Sequence, residues 1–197
     1  MSVRTEQMVW RPRVVVEKWD ADQVDALLRL GREQDGPGFL PVAAAFHRFG
    51  IRPVETAQDE GNLVTTAGLA RAASLLIAGG GQALSVGAVR IGVGNGSGTA
   101  AATDTDLSAA SGSTNRWFQP ASSITAVNDI ITVVATFPTG NANFQWNEWG
   151  FDIGTPTVSA GSTVAAVLFN HKTGTGGALG TKTSAQAWAF TTTADLG

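Results

Sequence analysis

The side chains able to do chemistry in this chain are few, and most are carboxylates. Glu148 stands between Trp146 and Trp149, with Asp152 four residues on. In an extended strand both point to the same face, at the separation of about 5–10 Å that a pair of glycosidase carboxylates requires. The plainer role for Glu148 is a bond to neighbouring backbone or to Arg90 or Arg116. Asp104 and Asp106 sit two apart in a Thr-rich stretch. A calcium loop can begin that way, but the rest of D-x-D-x-D-G and its distal Glu are missing. Asx-turns that satisfy local N–H groups are the simpler reading. The two histidines, His47 and His171, form no H-x-x-x-H pair, whereas zinc wants three or four N, O or S ligands. His171, beside Lys172, reads as a loop residue after a strand. No G-x-S-x-G elbow presents a nucleophilic serine. No catalytic, cofactor-binding or metal site is expected.

Two glycine-rich loops imitate phosphate cradles. Gly92-Val93-Gly94-Asn95-Gly96-Ser97-Gly98 follows a strand, but no frame matches G-x-G-x-x-G and no amphipathic helix follows to lend its N-terminus. In Gly174 to Thr183 a residue separates Gly180 from Lys182, so the lysine is not placed as in a P-loop. A hairpin loop returning into the last strand accounts for it better.

The elements that must position these groups follow from composition. The chain has 197 residues, 43% of them hydrophobic, with 24 glycines and no cysteine. That is enough apolar material for a core, and it excludes disulfides and thiolate sites. The net charge of −3 gives no basis for nucleic-acid or membrane binding. No run approaches the roughly 18 apolar residues of a membrane span, and the first residues lack the apolar stretch of a secretory signal.

Charge divides unevenly. Residues 1–71 hold nine of the 13 Lys/Arg and ten of the 16 Asp/Glu. The shift suggests an N-terminal arm, residues 1–60, too small for a core of its own and in need of a partner surface, either its own C-terminal domain or a neighbouring subunit, ahead of a β-rich domain, residues 61–197, that folds without it. In the arm, Val14-Val15-Val16 is β-prone. Asp20 caps a helix with Gln23 at the capping-box position and Val24, Leu27 and Leu28 as its stripe. Gly31 and Gly36-Pro37-Gly38 end it. Phe39 to Phe49 carries no clear assignment, and Arg52 to Gly61 reads as a linker. A second helix spans 62–78, capped by Thr65 or Thr66, with Leu69, Ala72, Ala73 and Leu76 on one face and Gly79-Gly80-Gly81 stopping it. Strands are expected over Val86–Val93, Ile130–Phe137, Phe144–Ile153, Val164–Asn170 and Ala187–Thr193. Within Phe144–Ile153, alternation places Phe144, Trp146, Glu148 and Asp152 opposite Trp149, Phe151 and Ile153. The fold class is mainly β, a β-sandwich or jelly-roll-like domain with one helix at its start, preceded by an arm containing a short helix.

Aromatic residues cluster after position 116, from Trp117 and Phe118 through Trp146 and Trp149 to Trp188 and Phe190. Such residues fill a core or a subunit interface, or, when exposed, form sugar-binding platforms. Candidate interface and anchoring residues are Arg4, Trp10, Arg11, Arg13 and Trp19 in the arm, and Trp117, Trp146 and Trp149 in the domain.

The ordered set Gly61-Asn62-Leu63-Val64-Thr65-Thr66-Ala67-Gly68-Leu69, Arg90-Ile91-Gly92-Val93-Gly94-Asn95-Gly96, Asp104-Thr105-Asp106-Leu107, Ala135-Thr136-Phe137, Trp146-Asn147-Glu148-Trp149-Gly150 and Leu179-Gly180-Thr181-Lys182 resembles a family of small structural proteins of tailed bacteriophages, akin to tail-fibre and collar-type domains. The resemblance covers residues 61–193. It implies a non-enzymatic virion protein without cofactor, assembled in the bacterial host cytoplasm as a trimer or other closed homo-oligomer, and partnered by the major capsid protein or tail proteins. The absence of fibre repeats and heptads points to a capsid decoration or head-fibre (minor capsid) protein. The alternative is a tail appendage that binds host cell-surface carbohydrate.

Overall fold

A computed structural model of the chain describes residues 11–34, 47–155, 158–174 and 179–195. In chain order the elements are β1 (Arg11–Asp20), α1 (Ala21–Gln34), β2 (Glu55–Glu60), β3 (Leu63–Val64), α2 (Thr66–Leu76), β4 (Val89–Gly94), β5 (Arg116–Pro120), β6 (Ser123–Val127), β7 (Ile130–Phe137), β8 (Glu148–Ile153), β9 (Asn170–Thr173) and β10 (Gln186–Asp195). Among the described residues the strands form two antiparallel five-stranded sheets, ordered β2-β1-β10-β7-β6 and β3-β9-β8-β4-β5. The fold is mainly β, with the two sheets face to face as a sandwich.

Period-2 patterning explains the core. Val14 and Val16 of β1, Val133, Ala135 and Phe137 of β7, and Trp188 and Phe190 of β10 point inward from the first sheet. Val89, Ile91 and Val93 of β4 and Trp149, Phe151 and Ile153 of β8 meet them from the second. Trp146 lies with its ring centroid 4.7 Å from both Phe137 and Trp188, and Trp149 reaches Phe190 at 5.5 Å. These are edge-on or tilted contacts of the kind aromatic quadrupoles favour. The alternation expected from Phe144 onward therefore begins only at Glu148. Trp146 precedes the strand and turns into the same core as Trp149.

The charge-rich first part of the chain is built into the first sheet. β1 pairs along its whole length with β10 and on its other side with β2, and Val14, Val16 and Trp19 are wholly buried. The composition change near Gly61 falls directly after the edge strand of that sheet. The segment read as a linker is the edge strand β2, in which only Ala57 is buried. Its Glu55, Asp59 and Glu60 suit an edge, where charge discourages pairing with another chain. Asp20 N–H makes the expected capping-box contact, donating to Gln23 Oε1 at 3.1 Å. Gly31 does not end α1, which runs on to Gln34; one helical glycine costs about 1 kcal/mol and is tolerated. Trp19, Val24, Phe49 and Ile51 form a small cluster outside the first sheet.

Two other expectations are revised. Of the strand expected over Val164–Asn170 only Asn170 lies in a strand, the first residue of β9, because residues 158–169 cross over the second sheet. The helix α2 is capped as expected, Gly68 N–H donating to Thr65 Oγ1 at 2.9 Å, but its orientation differs. Gly68 faces inward, so close to the chain that a Cβ there would lie 2.2 Å from the Phe169 carbonyl oxygen. Ala72 packs on the core beside it. The face holding Leu69, Ala73 and Leu76 is turned to solvent.

Candidate functional site

The outer face of the second sheet gathers the charged residues that the sequence scatters. Register places Gly94 opposite Glu148, Gly92 opposite Gly150 and Arg90 opposite Asp152, and β5 sets Arg116 opposite Gly94 and Phe118 opposite Gly92. All point away from the inter-sheet core. Residues 95–115 and 158–169 cover this face, with Leu107, Phe118, Leu168 and Ala165 as an apolar cluster beneath them.

Glu148 is wholly buried, and both its oxygens are engaged. Oε1 accepts from Ala109 N–H at 2.7 Å. Oε2 accepts from Ser108 N–H at 2.8 Å, from the Ser108 hydroxyl at 2.7 Å and from His171 Nε2 at 2.9 Å. The other ring nitrogen of His171 lies 2.6 Å from Asp104 Oδ2, which also accepts from Ala101 N–H at 2.8 Å. The glycines of the first loop make room for this. A Cβ on Gly94 would stand 2.3 Å from Glu148 Oε1, and one on Gly96 would stand 2.2 Å from the Ser108 oxygen.

A second set of ion pairs pins the rest of the covering loops. Arg90 grips both oxygens of the wholly buried Asp152, a bidentate pairing suited to guanidinium. It also donates to Thr163 Oγ1 at 2.8 Å and lies over the Phe118 ring at 4.8 Å. Asp152 in turn accepts from Ala166 N–H at 2.8 Å. Arg116 donates to Asp106 Oδ2 at 2.7 Å, while Asp106 Oδ1 accepts from Ala165 N–H at 2.9 Å and so ties one covering loop to the other.

The electrostatics follow from these contacts. Burial alone would raise the Glu148 carboxyl, but the bonds from His171, Ser108 and Ala109 outweigh it and hold the group below its ordinary value. Asp104 is likewise lowered, its desolvation outweighed by Ala101 N–H and His171. For His171 burial works against the proton, yet the bonds and charges of Glu148 and Asp104 prevail and raise its pKa above 6.5. Below the raised pKa of His171 the cluster is an imidazolium between two carboxylates. Its carboxylates contribute stability above their ordinary values of about 4, lost as pH falls through their lowered native values. His171 contributes fully below its ordinary pKa of about 6.5, and that contribution is lost as pH rises through the raised native value. Denaturant midpoints should therefore peak near pH 5–6 and decline above about 6.5. His171→Gln should flatten the alkaline decline, and an unchanged slope in that variant would contradict the assignment. The comparison belongs below pH 8, because Lys182, pushed down to about 8 by burial, adds stability with rising pH beyond that point.

The other expected site residues are placed as follows. Arg4 and Trp10 lie outside the described residues, as does the Arg11 side chain. Arg13 is exposed and donates to Gln58 at 2.8 Å. Trp19, Trp146 and Trp149 are wholly enclosed by their own chain, so they serve the fold and offer no surface to a partner or a sugar. Trp117 is half-buried, with its indole N–H on Gln119 at 3.0 Å. Glu148 and Asp152 do share a face, but one is clamped by His171 and amides and the other by Arg90. Arg90 and Arg116, weighed as partners of Glu148, pair instead with Asp152 and Asp106. Lys182 points to Pro138 O at 2.8 Å and Asn143 Oδ1 at 2.9 Å, away from any phosphate position. The partners missed in the sequence are His171 and Ser108. The signal for them was weak: a lone histidine and one of many serines, far from Glu148 along the chain.

Beside His171 a shallow groove of about 400 Å³ is lined by Gly61, Asn62, Leu63, Thr99, Ala100, Lys172 and Thr173. The carboxamide of Asn62 is buried there with no hydrogen-bond partner. Among the described residues no cluster of three or more His, Asp or Glu is arranged to hold a metal ion, and no helix is long and apolar enough to cross a membrane. No protein-family model, curated protein or solved structure matches the chain.

Proposed function

We propose that this chain is a non-enzymatic structural protein of a tailed-phage particle, a capsid decoration or head-fibre protein accessory to the particle surface, acting through contacts with other copies and with the shell protein. The observation that carries the reading is the fate of the residues on which the resemblance rests. Gly94, Gly96, Asp104 and Glu148 meet in one network and Asp106 in a second beside it, and each of these carboxylates is committed to a donor of the same chain. A catalytic acid or nucleophile must keep a face open to its substrate. Carboxylates that instead bind loops to a sheet are architectural, which suits a protein whose work is to hold a shape. The burial of Trp19, Trp146 and Trp149 also weakens the reading of a sugar platform.

The test is electron microscopy of purified particles labelled with an antibody against this chain, with mass spectrometry of the same particles. The expected result is regular labelling of the head at a fixed copy number. Label on the tail would move the attachment site and keep the structural class. Absence of the chain from purified particles that form normally would refute the proposal.

A further inference from the structure

We propose that His171 is a pH-operated latch on the turn at residues 99–104. Once neutral, its ring keeps Glu148 and lets go of Asp104, so the turn loosens from the second sheet and the groove beside it widens.

The latch follows from the number of protons on the ring. An imidazolium has an N–H on each nitrogen and can donate to both carboxylates. Those contacts stand at 2.9 Å from Nε2 to Glu148 and 2.6 Å from Nδ1 to Asp104. Neutral imidazole keeps one N–H, so one carboxylate must face a nitrogen lone pair. Burial decides which. Glu148 is wholly enclosed and fixed by Ser108 and Ala109, and a buried carboxylate that loses a donor has no water to replace it. The Asp104 side chain is 26% exposed and can rotate into solvent. The proton therefore stays on Nε2, and Asp104 leaves.

That departure undoes more than one contact. Asp104 Oδ2 also closes the turn by accepting from Ala101 N–H at 2.8 Å. Two further bonds hold the turn to its surroundings: Ala100 N–H donates to the Thr173 hydroxyl at 3.0 Å, and the Ala102 carbonyl accepts from Thr66 N–H at 2.7 Å. Thr99 and Ala100 line the groove together with Asn62 and Leu63, so loosening them opens it.

The neighbouring charges are committed elsewhere. β3 sets the apolar Leu63 opposite His171. Lys172, the next residue of β9, alternates to the other face and reaches Asp59 at 3.3 Å and the Glu60 carbonyl at 2.6 Å. Arg71 of α2 donates to the Gln82 carbonyl, and Asp106 pairs with Arg116. The charges facing the ring are thus Glu148 from β8 and Asp104 from the turn, and together they place the release above pH 6.5.

Amide exchange in the whole chain, followed with the His171 ring resonances from about pH 5.5 to 9, tests the latch. As His171 loses its proton, protection at Ala101, corrected for base catalysis of exchange, should fall about tenfold, the worth of one charge-assisted hydrogen bond. Ser108 and Ala109 should keep theirs. His171→Gln, which does not titrate, should lack the step. Asp104→Asn, which leaves no carboxylate before the lone pair, should lack it too and serves if the glutamine variant does not fold. Constant protection at Ala101 through the titration, loss at Ser108 and Ala109 along with it, or the same step in a folded variant overturns the latch. So does a ring that stays protonated to about pH 9.

Discussion

Replacing Glu148 with alanine is expected to cost about 3–5 kcal/mol, the usual loss when one member of a buried ion pair is removed. The carboxylate ties His171, the Ser108 hydroxyl and two backbone N–H groups together. Its loss leaves a buried imidazolium with a single carboxylate partner, Asp104, and two amides without acceptors. Glu148→Gln keeps the volume and loses the charge, so it should cost less, about 1.5–3 kcal/mol. Combining Glu148→Gln with His171→Gln should recover part of the loss, because the second change removes the stranded cation and the residues are directly coupled. Denaturant midpoints of the four proteins measure all of this. A loss below about 1 kcal/mol for Glu148→Ala, against a typical total of 5–15 kcal/mol, would mean that the carboxylate is more hydrated and less committed than described.

The second large effect concerns the first sixty residues. Their removal takes away β1 and β2 together, strips β10 of its β1 partner along all ten of its residues while leaving only β7 beside it, and removes Val14, Val16 and Trp19 from buried positions. Each such side chain stabilises by about 1.5–3 kcal/mol, and the orphaned strand would present a long unpaired edge. Residues 61–197 alone should show no cooperative melting and should aggregate. A sharp melting transition close to that of the whole chain would show that β1 is dispensable.

That expectation reverses what the charge distribution suggested, and the reason is physical. Much of the charge in residues 1–71 lies on an edge strand and a helix on the sheet exterior, both wet, and these follow β1, whose Val14 and Val16 are wholly buried although Lys18 shares their face. Composition averages the two and mistakes exposure for separateness. Where one face is buried and the other half-wet, alternation was readable: β7 matches its β-branched run and β10 extends by a few residues the one expected for it, and the Glu148–Asp152 face was assigned from spacing alone. For α2, the Thr65 cap was legible, but the helix runs Thr66–Leu76 instead of 62–78, Leu63–Val64 forming β3, and two apolar stripes compete there, Gly68-Ala72-Leu75 and Leu69-Ala73-Leu76. Only the close approach of Gly68 to Phe169 decides which is inside. The partners of Glu148 were out of reach because His171 comes to it from β9 and Ser108 from the loop between β4 and β5, which also brings Asp104 to His171. A sequence pattern reports neighbours along the chain, and this network joins neighbours across it.

The most direct test is amide hydrogen exchange at Ser108 and Ala109, the two N–H groups that bind Glu148 from an otherwise irregular loop. Near pH 6 both should be protected to an extent comparable with β8, and Glu148→Gln should abolish that protection while β1, β7 and β10 keep theirs. Exchange of both amides in the unmodified protein at the rate of an open loop would contradict the account, because the carboxylate would then be available for something other than holding the structure together.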